Sequence, residues 1–200
     1  MNPTLSASPF VAGLDLGQAR DFSALTLLER TLDTGPRDPV TWSAPVRELY
    51  VVRGLHRFAL GTPYPRVVEA LHKFLAAQPF AHRTTLLVDA TGLGAPVVDY
   101  LRHARVPVRI EPVLITSGET AGLGAGRMTV PRKDLLAAIQ ILLEHRRLRI
   151  PSEIPLTRSL VRELKAFSLA GGAHDDLVLS LALAAWYALK RWPLRVPSRS

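Results

Sequence analysis

Four aspartates stand where an aspartate is costly. Asp15 interrupts the apolar run FVAGLDLGQARDFSALTLLER, Asp89 sits in TTLLVDA, and Asp175 and Asp176 open DDLVLSLALAAWYAL. A carboxylate in such surroundings needs a hydrogen-bonding turn, a cation or a metal. Clustered carboxylates cannot all stay ionised without a compensating charge, and divalent cations are the usual compensation. The chain has no cysteine, so a thiolate site is excluded and the donors left are oxygen and imidazole. Oxygen donors favour hard cations such as Mg²⁺ or Mn²⁺. A carboxylate cluster in a basic protein fits metal-assisted phosphodiester hydrolysis. The acids hold the metals, the metals activate a water and stabilise the leaving oxygen, and surrounding Lys and Arg hold the polyanion.

Each aspartate also has a plainer role open to it. Asp15 stands two residues before Gly17 and could serve a turn, and Asp89-Ala-Thr-Gly could begin an Asx-type loop. Asp175 or Asp176 could cap the helix that follows, Asp175 being the better placed. Taken together, the acids weigh toward a site if the fold brings them to one place.

The elements that would do so can be read from pattern. Phe10–Leu16 and Ser23–Glu29 read as strands joined by the turn chemistry of GQARD, and Val46–Arg53 as a third, an antiparallel meander. Pro65–Ala77 reads as a helix, with Val67, Val68, Leu71, Phe74 and Leu75 at helical spacing. Thr84–Ala90 is short and nearly all apolar, the mark of a strand buried on both faces. GLGAPVVDYLR predicts a second helix and Val108–Leu114 a fifth strand. The glycine-rich Ser117–Met128 predicts a mobile loop. Helices follow over Asp134–Arg146, Leu156–Phe167 and from His174 to about Lys190. Helical crossovers make the later strands parallel. The expected fold is α/β: a mixed five-stranded sheet, three antiparallel strands plus two parallel, flanked by helices. Groups at strand ends in such a sheet gather at the crevice outside its edge. One domain over 10–190 is expected, with a flexible N-terminus (1–9) and a basic C-terminal tail (191–200).

The formal net charge is +8 and the pI about 10.6, which favours a polyanionic partner. No signal peptide is visible, and the longest apolar run is too short to span a bilayer. No membrane partner and a cytoplasmic location are therefore expected, the host cytoplasm if the chain is phage-encoded. Aromatics are few and scattered, so stacking on single-stranded bases is not expected, whereas backbone-directed, largely sequence-blind binding is. The histidines form no ligand pair at helical spacing, which argues against a His-rich zinc site.

The segments GLDLGQARDFSAL, LLVDATGLGAPVVDYL, VPRKDLLAAIQILLEHRRLRIP and GAHDDLVLSLALAAW resemble the nuclease domain of phage terminase large subunits, of the ribonuclease H-like, RuvC-like superfamily. The resemblance runs from about Phe10 to Trp186. It implies a two-metal-ion endodeoxyribonuclease, using Mg²⁺ or Mn²⁺, that cuts concatemeric viral DNA during genome packaging. It makes Asp15, Asp89 and Asp176 the catalytic acids and metal ligands, with Asp175 as neighbour or alternative ligand and His174 as a group that orients a carboxylate or water. It sets the glycine-rich loop near the DNA, with Arg127, Arg132 and Lys133 as phosphate contacts. Double-stranded DNA is the implied partner, and a separate packaging ATPase, small terminase or portal are candidate partners.

The chain lacks the Gly-x-x-x-x-Gly-Lys-Ser/Thr phosphate loop of the terminase motor, so motor activity and a nucleotide cofactor are not expected. A Holliday-junction resolvase would use the same acids and fold. GLDLGQARDFSAL also looks like the first phosphate loop of actin-like ATPases, but those need two lobes. A third alternative is a DNA-binding module with a degenerate site, against which the intact acid set argues.

Overall fold

Two short apolar strands lie side by side at the centre of the molecule: β1 (Phe10–Asp15) and β4 (Thr84–Asp89), paired in parallel from Phe10↔Thr84 to Leu14↔Val88. Both are covered on both faces, which is why they read as continuous hydrophobic runs. The computed structural model describes residues 9–17, 21–92, 94–124, 127–167 and 175–191. On one side β1 pairs antiparallel with β2 (Ala24–Thr34), and β2 with β3 (Val46–Arg57). On the other, β4 pairs in parallel with β5 (Arg109–Thr116). These are the five strands expected, in the expected directions, and their helix-flanked mixed sheet is the expected α/β fold.

Three short strands not apparent from the sequence extend this sheet to eight, in the order β6-β7-β5-β4-β1-β2-β3-β8. They are β6 (Gly122–Gly124), β7 (Arg127–Pro131) and β8 (Leu148–Arg149). The segment expected to be a mobile loop is thus partly paired. Met128 and Val130 are buried and Thr129 between them is less so, the two-residue alternation of a strand with one face on the core. The residues expected as flexible termini and tail fall almost wholly outside the described residues, as does His174.

Alternation sorts the side chains into two layers. Ala12, Leu14, Leu86 and Val88 face α1 (Tyr64–Leu75) and α2 (Gly94–His103). Val11, Leu87, Val113 and Val130 face α3 (Arg132–Glu144), α4 (Thr157–Ala166) and α5 (Asp176–Arg191). α5 is buried from Asp176 through Ala188, the behaviour of a helix apolar all round. Among the described residues no helix is long and apolar enough to cross a membrane.

Gly13 sets where α5 lies. A Cβ there would come within 1.9 Å of the Ser180 carbonyl oxygen, so only glycine lets the helix backbone approach β1 this closely. Ser180, the one serine of this apolar helix, is satisfied on the same spot. Its Oγ lies 2.7 Å from Thr26 Oγ1 and donates to the Leu177 carbonyl at 3.0 Å. Thr26 is the cross-strand partner of Gly13.

Candidate active site

The Gly13–Ser180 contact brings the first acids together. From Gly13, two residues along β1 advance about 6.6 Å to Asp15. From Ser180, one helical turn back, about 5.4 Å, arrives at Asp176. Asp15 and Asp89 end adjacent parallel strands, roughly 4.8 Å apart. Both continue the alternation of Val11, Gly13 and Leu87, which puts them on the α5 side of the sheet. The crevice lies at the carboxyl ends of β1 and β4, where the chain order of the strands reverses, the place where open α/β sheets hold ligands.

The acids sense one another. Burial first, then the charges of Asp89, Asp176 and Asp175, push the Asp15 carboxyl well above the ordinary carboxylate range, with Arg132 opposing. Burial also raises Asp89, against hydrogen bonds from Thr91 and the charge of Arg132. Asp89 Oδ1 accepts from the Thr91 N–H at 2.8 Å, so the Asx-type loop start is real. Thr91 Oγ1 in turn accepts from the Ile115 N–H at 2.9 Å, and Gly92 carries the left-handed turn at φ 68°. Asp89 therefore shapes its own loop as well as facing the crevice.

Asp175 and Asp176 divide differently from the expectation. Asp175 does not cap α5 with its side chain: its backbone carbonyl accepts the Leu179 N–H at 2.7 Å, while its carboxylate takes a hydrogen bond from Arg132 Nη2. The free N–H groups of the first turn go to a distant residue. Glu163 of α4 accepts from Leu177 and Val178 through Oε2, at 3.0 and 3.3 Å. Its other oxygen, Oε1, accepts from Arg57 Nη2. Arg57 Nε stands 2.6 Å from Asp176 Oδ2, and neither of these two buried atoms has an aligned hydrogen-bond partner. Burial raises the Glu163 carboxyl, and the Arg57 hydrogen bond and charge oppose this.

Arg57 and Glu163 carried no signal in one dimension. Arg57 lies beyond the strand end expected at Arg53. A bulge separates the pairs Leu27↔Gly54 and Leu28↔Val52, leaving Arg53 over. One extra residue inverts the side-chain phase of a strand. Tyr50 and Val52 face α5 before the bulge; after it Leu55 does, and Arg57, partner of the α5-facing Ala24, does too.

A cleft of about 520 Å³ opens beside the acids, lined among others by Asp89, Thr91, Thr116, Arg132, Lys133 and Leu179. Arg132, expected to be a phosphate contact, turns inward to Asp175 with its Cζ 5.3 Å from the centre of the Phe167 ring. Lys133 stays at the exposed rim, paired with Glu119, and Arg127 is exposed on β7. Among the described residues no three His, Asp or Glu side chains already converge as a metal cage. The donor set nevertheless suits a hard divalent cation: it is all carboxylate, acid-rich, and includes the buried, unaligned Oδ2 of Asp176.

No family model matches the sequence and no curated protein matches it. Solved structures do match. The large terminase nuclease of thermophilic phage G20c with bound zinc superposes at TM-score 0.60 and 22% identity, over 90% of this chain and 80% of that one. The same nuclease with bound magnesium gives 0.58 and 22%, over 88% and 79%. The human cytomegalovirus terminase nuclease domain, soaked with manganese, gives 0.52 and 13%, over 92% and 87%. The central sheet, the crossing of α5 at Gly13 and these superpositions together give the chain the ribonuclease H-like fold of the large-terminase nuclease domains.

Proposed function

We propose that the chain is a metal-dependent endodeoxyribonuclease of the terminase nuclease type, acting on double-stranded DNA. The observation that carries this is that Asp89, Asp175 and Asp176 all lie near enough to Asp15 for their charges to act on it, at neighbouring strand ends and the start of a buried helix, beside a crevice whose rim is basic. Of the solved structures of this fold named above, two have bound zinc or magnesium and one was soaked with manganese. Asp15, Asp89 and Asp176 are the residues that would hold Mg²⁺ or Mn²⁺, with Asp175 adjoining and His174 as a supporting group. Two bound ions would supply Lewis-acid stabilisation of the phosphodiester and a deprotonated water.

The chain's own residues do the rest. Gly13 and the Thr26–Ser180 hydrogen bond fix α5, so that Asp176 is delivered to the strand ends by rigid elements rather than by a loop. Asp89 holds its carboxylate in place by binding the Thr91 N–H. Lys133 and Arg127 face outward, where a phosphate backbone would pass, and Arg132 sits between that rim and the acids. Contacts of this kind position DNA without reading its sequence.

Cleavage of plasmid DNA in Mn²⁺, its loss in EDTA, and inactivity of Asp176→Ala and Asp89→Ala are the expected results. Undiminished cutting in EDTA would remove the metal mechanism. Preference for four-way junctions over linear duplex would assign the site to a resolvase. Lys133→Ala should lower the salt dependence of DNA binding by about one unit of slope, equally across sequences.

A further inference from the structure

Arg57 stands between two buried carboxylates and binds them unequally. Its Nη2 makes an aligned hydrogen bond to Glu163. Toward Asp176 there is only a charge contact, Nε to Oδ2 at 2.6 Å, without hydrogen-bond alignment. Asp176 and Glu163 are 5% and 8% exposed, so without Arg57 two buried acids would face each other uncompensated. Glu163 is itself fixed by the Leu177 and Val178 N–H groups and so cannot follow a moving partner. The Arg57 guanidinium also lies 5.3 Å from the centre of the Phe22 ring, a second favourable contact that does not involve Asp176.

We propose that Arg57 is a resident counter-cation of the crevice, which a divalent metal ion displaces from Asp176, while Glu163 keeps the displaced guanidinium in place. The inference rests on the metal-binding reading above. It assigns Arg57 and Glu163 as positioning residues. Arg57 neutralises Asp176 before the metal arrives, and Glu163 anchors both the arginine and the first turn of α5. Metal and arginine then compete for one oxygen, and a competition of this kind is reciprocal.

The two residues must act on metal affinity with opposite sign. Arg57→Gln removes the competitor: Mn²⁺ should bind the full chain at least about fivefold more tightly, and the melting temperature in EDTA should fall. Glu163→Gln keeps an oxygen for the helix N–H groups but loses the charge that holds Arg57. The arginine then commits to Asp176, and Mn²⁺ should bind more weakly by a similar factor. Arg57→Lys, a single ammonium without the planar fork that spans both acids, should fall between wild type and Arg57→Gln. Calorimetric Mn²⁺ titration of the four proteins reads this directly. A merely structural role would weaken binding in both Gln variants, and that outcome, or no change in either, overturns the proposal. If Arg57→Gln does not fold, the opposite shifts of Arg57→Lys and Glu163→Gln carry the test. Failure of the wild type to bind Mn²⁺ would sink the metal reading itself, whereas wild-type binding without the opposite shifts sinks only this inference.

Discussion

The α5-covered face of the sheet buries charge at both ends, and the two ends are built in opposite ways. At the end remote from the crevice, Glu48 is 2% exposed. Arg30 donates to its Oε1, with Nε at 2.7 Å, and Arg147 to its Oε2 at 2.5 Å. The Tyr50 hydroxyl adds a bond to Oε2 at 3.1 Å, and Arg147 Nε reaches the Glu48 carbonyl at 3.1 Å. One carboxylate thus meets two guanidinium groups and a phenol. At the crevice the balance reverses: Asp15, Asp89, Asp175, Asp176 and Glu163 share Arg57 and Arg132. Asp176 Oδ2, Arg57 Nε and Arg132 Nε lack aligned partners there. A buried cluster with cation to spare and both carboxylate oxygens engaged holds a fold together. One with excess anion and unaligned atoms is arranged for something still to bind.

The largest effect should come from the closed end. Glu48→Gln leaves two half-buried guanidinium groups without the buried counter-charge they share and should cost about 3 kcal/mol in urea unfolding, the lower end for breaking a buried pair, with Mn²⁺ affinity unchanged. A neutral result would remove the distinction between the two ends. Next comes Gly13→Ala, which drives a methyl into the Ser180 carbonyl. It should cost about 1–3 kcal/mol, as overpacking does, and should also slow cleavage, because it displaces the helix that carries Asp176. Full activity in a destabilised variant would mean that the helix start is positioned by something other than this contact.

Asp15→Asn should act in the other direction. It removes the acid that suffers most from burial and from its neighbours, so the metal-free protein should gain on the order of 1 kcal/mol at neutral pH while losing cleavage. A loss of stability in EDTA would mean that the Asp15 charge is better compensated than its setting indicates. Asp176, by contrast, already leans on Arg57, so its removal should bring less relief.

The smallest effect at neutral pH concerns Tyr50, whose hydroxyl is pushed up to about 12, chiefly by burial and then by the Glu48 charge. The native state keeps a proton that the unfolded chain releases from about pH 10. Tyr50 therefore adds no pH dependence below about 10, and stability falls as pH rises from there toward 12. Tyr50→Phe should flatten that fall in alkaline melts. An unchanged slope would show that burial and the Glu48 charge do not keep the phenol protonated in the native state.

Much of this architecture follows from local pattern. The apolar runs around Leu14 and Val88 are strands because alternating and continuous apolar residues have nowhere else to go. The parallel pairing of β4 with β5 follows from the helix-length connection between them. The run from Leu177 to Leu189 is a core helix because it is apolar all round. The four aspartates were visible as misfits in those runs, since a misfit needs only its neighbours in sequence to be recognised.

Tertiary structure alone decided how the acids are compensated. Arg57 reaches Asp176 because a single bulged residue at Arg53 reverses the phase of its strand, a choice made in pairing with β2. Glu163, on the otherwise charged α4, is buried only because α4 docks beside the start of α5, and there it takes the capping role that the sequence suggested for Asp175. Arg132, expected to contact phosphate, is instead turned inward to Asp175 and Phe167 by the way α3 packs beside the start of α5. Periodicity is a property of the few residues within one turn or pleat. Charge compensation joins residues far outside one turn or pleat, such as Arg132 with Asp175 or Arg57 with Glu163, and only the packed chain brings those into contact.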